Sequence, residues 1–322
     1  MKFLRAAIAV LAALLAGPVL AQSGWPNKPI TLVVPFPPGG GTDAFARPLA
    51  VHLSKQLGRS VIIDNKGGAG GTVGASFAAK QAPDGYTFFI GAVHHAIAPS
   101  FYPKLDYDIE TDLVPLTVIA NPPQIIVVNP NRVKADNFAS FMEMLRASPG
   151  RLNYASAGNG TSHHLAGELF KQQSKTFIVH IPYRGAGPAL QDLIAGNVDM
   201  MFDGLGSSAQ HIRAGRIKPL AVAAPKRSPA FPNVPTSAEV GMPDYVVSTW
   251  YGIWGVKGTP KDVLDRMHAE VVKAINTPEL KEIWAGNGSD TNTMTPPEFS
   301  KFLNSEIKRW ATVSKASGAR LD

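Results

Sequence analysis

Residues 30–35 form a run that is apolar apart from Thr31. The chain then passes through Phe36-Pro37-Pro38-Gly39-Gly40-Gly41 directly into a helical pattern over residues 42–57. A strand that is apolar on both faces belongs inside a sheet covered by helices on either side. So short a passage into a helix makes the next strand of that sheet a parallel one. The pattern repeats with a strand over 60–63, a helix over 72–80, the turn Pro83-Asp84-Gly85 and a strand over 86–90. This stretch commits the chain to an α/β fold.

A second series follows the proline pair Pro122-Pro123. Its strands are expected at 125–128, 152–155, 177–180, 198–202 and 220–224, with helices at 138–147, 161–173 and 186–195 between them. Proline-rich chain covers 225–243, residues 246–256 read as extended, and helices are expected over 260–275, 278–284 and 296–315. That tail has no strands of its own, so it must pack on a sheet already present. The expectation is two α/β lobes, residues 22–122 with 250–322 and residues 123–249. Each has a mainly parallel sheet flanked by helices. The chain crosses twice, near 120–125 and 247–254, and a cleft lies between the lobes.

The first residues carry Lys2 and Arg5, then an apolar stretch over 6–16, the break Gly17-Pro18 and the small-residue site Val19-Leu20-Ala21. The stretch is too short to span about 30 Å of hydrocarbon and reads as an export signal cleaved after Ala21. The sequence has no cysteine, which excludes disulfides, a thiol nucleophile, thiolate metal sites and a lipid tether. A formal net charge of +7 favours anionic ligands. The basic residues are scattered without a run, so nucleic acid is not an expected partner. Neither a metal nor a cofactor is expected. Gly39-x-Gly41-x-x-Ala44 with Asp64 fits a loose dinucleotide fingerprint, but Asp43 would set a negative charge beside the pyrophosphate.

Chemistry concentrates where strands exit into helices. Phe36, Pro37, Gly39, Gly40 and Thr42 present bare backbone and a hydroxyl at a helix start, and Asp43 can cap that helix. Gly67 to Gly71 repeat the glycine logic without the Lys-Ser or Lys-Thr of a P-loop. His94 and His95 follow the third strand; on extended chain adjacent side chains point opposite ways, so one at most faces the cleft. Asn159, Gly160, Thr161, Ser162 and His163 form the matching turn of the second lobe, with Thr161 or Ser162 as cap. Arg184 could clamp a carboxylate, pair with Asp203 at the end of strand 198–202, or sit on the surface. Each of these turns also serves as an ordinary capped connection. Trp250, Tyr251 and Trp254 could line a pocket or pack the hinge.

In this order, the motifs make the chain resemble the Bug family, the substrate-binding proteins of tripartite tricarboxylate transporters. The resemblance rests on Pro35 through Asp43, Gly68-Ala69-Gly70-Gly71, Ala82-Pro83-Asp84-Gly85-Tyr86-Thr87, Gly158-Asn159-Gly160-Thr161 with His164-Leu165-Ala166, Pro182-Tyr183-Arg184-Gly185 and Phe231-Pro232-Asn233-Val234-Pro235-Thr236. It implies a two-lobed periplasmic-binding-protein architecture and a small mono-, di- or tricarboxylate ligand, aromatic ones included. It also implies that residues 36–43 and 159–162 act as pincers on one carboxylate. The implied partners are the large and small membrane subunits of an ion-driven permease, served by a monomer. The sequence departs from the family pattern at Gly67, where relatives carry proline, and at His94 and His163, each beside the more usual histidine. These extra imidazoles are read either as neutral loop variation, the simpler reading, or as one of them tuning ligand preference. An exported hydrolase is the alternative from another class, but no Gly-x-Ser-x-Gly elbow or His-Glu-x-x-His pair occurs. A ligand-sensing subunit would use the same closed lobes.

Overall fold

The structure, a computed structural model, describes residues 24–317; the expected export signal lies outside them. The first sheet holds β1 (Ile30–Val34), β2 (Val61–Asn65), β3 (Thr87–Ala92), β4 (Leu113–Ala120) and β10 (Tyr251–Val256) in the order β2-β1-β3-β10-β4. The second holds β5 (Gln124–Val128), β6 (Asn153–Ser156), β7 (Val179–Pro182), β8 (Met200–Gly204) and β9 (Lys218–Val222) in the order β7-β6-β8-β5-β9. The parallel core expected of consecutive βα units is present in β2-β1-β3 and in β7-β6-β8. Each sheet is completed by a strand running the other way, β10 or β5, so both sheets are mixed.

The apolar run explains its place. Ile30, Leu32 and Val34 of β1 enter one core while Val33 enters the core on the opposite face, all fully buried. β5 does the same in the second sheet, with Ile126 and Val128 on one face and Ile125 and Val127 on the other. Helices cover both faces: α1 (Gly41–Leu57), α2 (Thr72–Ala79) and α3 (His94–Phe101) in the first lobe, and α4 (Phe138–Ala147), α5 (Ser162–Ser174), α6 (Ala186–Ala195) and α7 (Leu205–Arg213) in the second.

The helical tail returns to the first sheet as α8 (Lys261–Ile275), α9 (Pro278–Gly286) and α10 (Pro296–Ser317). In α8, Val263, Met267, Val271 and Ala274 recur at helical spacing and fill the core beside α1. Trp284 of α9 donates its indole N–H to the Ile119 carbonyl at 2.7 Å and meets Phe45 edge to face. Glu306 of α10 accepts the indole N–H groups of both Trp250 and Trp310. Trp250 and Trp254 therefore pack the first lobe around Phe299.

The two crossings pair with each other. Gln124 donates to the Val247 carbonyl and Thr249 to that of Pro122, with a bridge between Pro123 and Ser248. The extended chain expected over 246–256 is thus regular strand only from Tyr251. Three elements escaped the sequence reading: α3, β4 and α7.

A candidate ligand site between the lobes

Four helices begin at one point between the lobes. Gly41 and Thr42 of α1, His94 of α3, His163 of α5 and Ala186 of α6 line a common cavity. Phe36, Gly40, Ala157 and Tyr251 complete its wall. The lining contains no lysine, arginine or carboxylate. What faces the space is the positive end of each helix, with first-turn N–H groups that have no partner inside the helix. Neither α1 nor α6 has a side-chain cap, because glycine stands at both N-cap positions, Gly40 and Gly185. That leaves their donors open to a ligand anion.

Small residues are required by crowding. A Cβ on Gly41 would fall 2.0 Å from the Tyr251 hydroxyl, and one on Gly187 would fall 2.2 Å from the Pro38 carbonyl oxygen in the opposite lobe. Gly39 has φ +88°, in the left-handed region. Asp43 does not occupy the cap position. It sits within the first turn of α1 and reaches back to accept the Gly39 N–H at 3.0 Å, the Arg47 Nε–H at 2.7 Å and the Asn65 amide at 3.3 Å. Asp43 therefore braces the 36–40 turn from behind and does not line the cavity. Pro37 packs against Gly67 and Gly185, also off the cavity wall.

The polar groups of the second-lobe turn are already engaged. The Asn159 carbonyl accepts the Tyr102 hydroxyl at 2.8 Å, and Gly160 donates to His164 Nδ1 at 3.3 Å. Thr161 caps α5, its hydroxyl oxygen accepting from the His164 N–H and donating to the Gly158 carbonyl. Ser162 Oγ accepts from Gln124 Nε2 at 3.0 Å. Of the expected residues 159–163, only His163 reaches the cavity. Arg184 is exposed and makes no ion pair among the described residues, so the pairing with Asp203 does not form. Ala157 and Ala186 line the cavity and are not among the candidates named in the sequence, although Ala186 shares a glycine-flanked helix start with the expected loops; Gly41 belongs to the expected 36–43 pincer, and Tyr251, read as a pocket or hinge residue, takes the pocket position.

His94 and His95 sit at the start of α3 and not on extended chain. His95 turns into the first lobe, accepting the Ala92 N–H on Nδ1 at 3.0 Å while Nε2–H donates to the Gly71 carbonyl at 3.3 Å. Burial pushes it down to about 4. His94 turns to the cleft, and its Nδ1 accepts the Ser162 N–H from the other lobe at 3.1 Å. Burial, then His163 and His95, hold His94 well below the usual histidine range. His163 faces His94 with ring centroids 5.6 Å apart at 89°, and burial pushes it to about 4.

Behind His163, Asp203 is fully buried at the end of β8. Its Oδ2 accepts the hydroxyls of Ser207 at 2.8 Å and Ser208 at 2.5 Å, while Oδ1 lies 3.7 Å from His163 Nε2. Burial raises Asp203 to about 6 against the two hydroxyls, so at neutral pH it is an anion beside a neutral imidazole.

The lobes are closed on each other. Besides the Ser162–His94 bond, Tyr102 reaches Asn159, the Phe101 ring meets His164 edge to face, and Arg213 of α7 donates to the Gly286 carbonyl. The cavity measures about 10 Å³, room for about one water. Anything larger enters only when the lobes part.

Ser207 and Ser208 donate to a carboxylate and are not set against an imidazole. Ser156 Oγ does lie 2.6 Å from His180 Nε2, but Ser156 is fully buried and its oxygen also accepts the Gly158 N–H. That contact braces a loop and presents no nucleophile.

A family model described as "Tripartite tricarboxylate transporter family receptor" matches residues 45–319. The chain is 36% identical to protein BugT of Bordetella pertussis over 95% of this chain and 94% of that protein. Among solved structures it is similar to Rpa4515 of R. palustris with adipate, at 35% identity and a TM-score of 0.88 over 92% of this chain and 100% of that one. It is also similar to MatC from Rhodopseudomonas palustris with bound malate, at 31% identity and a TM-score of 0.84 over 90% of this chain and 99% of that one.

Proposed function

The chain belongs to the tripartite tricarboxylate transporter receptor family, and from that premise we propose that it captures a small carboxylate between its lobes and delivers it to a permease of large and small membrane subunits. The setting is the periplasm, reached by an export signal cut after Ala21. The observation that carries this reading is the convergence of four helix starts from both lobes on one cavity without a basic side chain. Oriented N–H groups and helix dipoles favour a single negative group without needing a counter-ion. Two of these helices come from each lobe, so an anion between them is bound fully only when the lobes close. The adipate and malate of the solved relatives support the same class of ligand.

A thermal-shift screen of aliphatic and aromatic mono-, di- and tricarboxylates tests this. A ligand at a hundred times its Kd stabilises the folded state by about 2.7 kcal/mol, raising the melting temperature by about 5 °C. A screen in which no carboxylate shifts the transition contradicts the proposal.

A further inference from the structure

Resting on the carboxylate reading, we infer that His94 and His163 read a hydroxyl group on the ligand from opposite lobes, making hydroxycarboxylates the preferred class. A hydrogen bond fixes the role of His94, and a nearby carboxylate biases His163 toward the opposite one. His94 Nδ1 accepts the Ser162 N–H, so its proton sits on Nε2. That N–H has no partner among the described residues, and His94 lines the cavity. His94 therefore offers a donor.

His163 is held the other way round. The Asp203 carboxylate lies 3.7 Å from Nε2 and favours the proton on that nitrogen. Nδ1 is then an acceptor; it is buried and has no hydrogen-bond partner among the described residues. Asp203 keeps this orientation because Ser207 and Ser208 both hold its Oδ2, leaving Oδ1, itself without a hydrogen-bond partner, toward the ring.

His94 thus offers a donor and His163 an acceptor, on rings whose centroids lie 5.6 Å apart across the closed cleft. A hydroxyl satisfies both, accepting from His94 Nε2–H and donating to His163 Nδ1. A carboxylate only accepts and would set lone pairs against His163 Nδ1, with the Asp203 anion behind it. An ammonium only donates and would set its protons against His94. A methylene satisfies neither. Leaving such a buried group unpaired costs about ten-fold or more in affinity.

The test is calorimetry on matched sets that differ in one group: succinate, malate and aspartate; glutarate, 2-hydroxyglutarate and glutamate; benzoate and 3-hydroxybenzoate. In every set that binds, the hydroxylated member is expected to be tighter by about ten-fold or more. Asp203→Asn turns the device over. The amide oxygen can keep the two serine hydroxyls while its NH2 donates to His163 Nε2, which moves the ring proton to Nδ1. The advantage of the hydroxylated member is then expected to shrink, because its own proton no longer has an acceptor on His163. His163→Leu is expected to bring the members of a set within about three-fold of each other. Thermal unfolding of each variant establishes that it is folded. Plain or amino acids binding as tightly as hydroxy acids to the wild-type protein overturns this inference and leaves the carboxylate reading standing. Failure of every set to bind overturns both.

Discussion

Ser162 of the second lobe donates its backbone N–H to Nδ1 of His94 in the first, across 3.1 Å. The bond exists only when the lobes meet, and only while His94 is unprotonated. Closure and the orientation of a cavity-lining side chain are thus one event.

Acid should therefore destabilise the protein. His94, His95, His163 and His180 all have folded pKa values below 6.5, with burial the largest cause. Groups depressed in this way contribute stability above the unfolded value and lose it as pH falls through about 6.5 toward about 4. Asp203 acts in the opposite sense. Raised to about 6, it favours the folded state below its unfolded value and loses that contribution as pH rises through about 6. Four histidines outweigh one aspartate, so scanning calorimetry should show the melting temperature rising between pH 4.5 and pH 6.5, at the pH windows set by those shifts. A flat or falling profile contradicts the assignment of neutral buried imidazoles.

A methyl group at the lobe interface should block closure. In Gly187→Ala the new carbon would sit 2.2 Å from the Pro38 carbonyl oxygen, which is backbone and cannot swing away. Affinity for the best ligand of the screen should fall by about a hundred-fold, since the donors of α1 and α6 can no longer share one anion. Small-angle scattering should show no ligand-induced decrease in radius of gyration, in contrast to the wild type.

Asp43 should matter without touching the ligand. Removing it in Asp43→Ala frees the Gly39 N–H and the Arg47 guanidinium, at a cost of about 1–3 kcal/mol in chemical denaturation. Affinity should fall with it as the 36–40 turn loosens. Unchanged affinity would show that Gly40 and Gly41 are positioned by the sheet alone.

Far from the cleft, Asn137 and Ser140 form a reciprocal capping box at the start of α4. Asn137→Ala should cost about 1 kcal/mol of stability and leave ligand affinity unchanged. A change in affinity would mean that α4 communicates with the cleft.

What could be read from the sequence was whatever is decided locally. The 30–35 run and its glycines specify β1 and α1 because a strand apolar on both faces and an open helix start are local signals. The helices at α4 and α6 were read to the residue for the same reason. α3 was hidden because Pro99 lies within it and its first residues carry no capping side chain; packing of Ile97 against the α10 side of the first core forms it. β4 was hidden by Pro115, which a strand tolerates at a sheet edge, where β4 lies. α7 follows Gly204, an N-cap without a side chain, so only its contact with the sheet announces it. In the site, His94, His163 and Asp203 carry recognisable chemistry. Ala157 and Ala186 do not, since what brings them to the cavity is the approach of two lobes; Tyr251 is named in the sequence, but only the register of β10 decides between pocket and hinge.

The most direct measurement is amide chemical shift in the 15N-labelled protein as the best ligand of the screen is added. The largest downfield proton shifts are expected at Gly41, Thr42, Ala186 and Gly187, the open donors of α1 and α6. Shifts confined to outer surfaces of either lobe, with these four amides unmoved, would contradict anion capture at the helix starts.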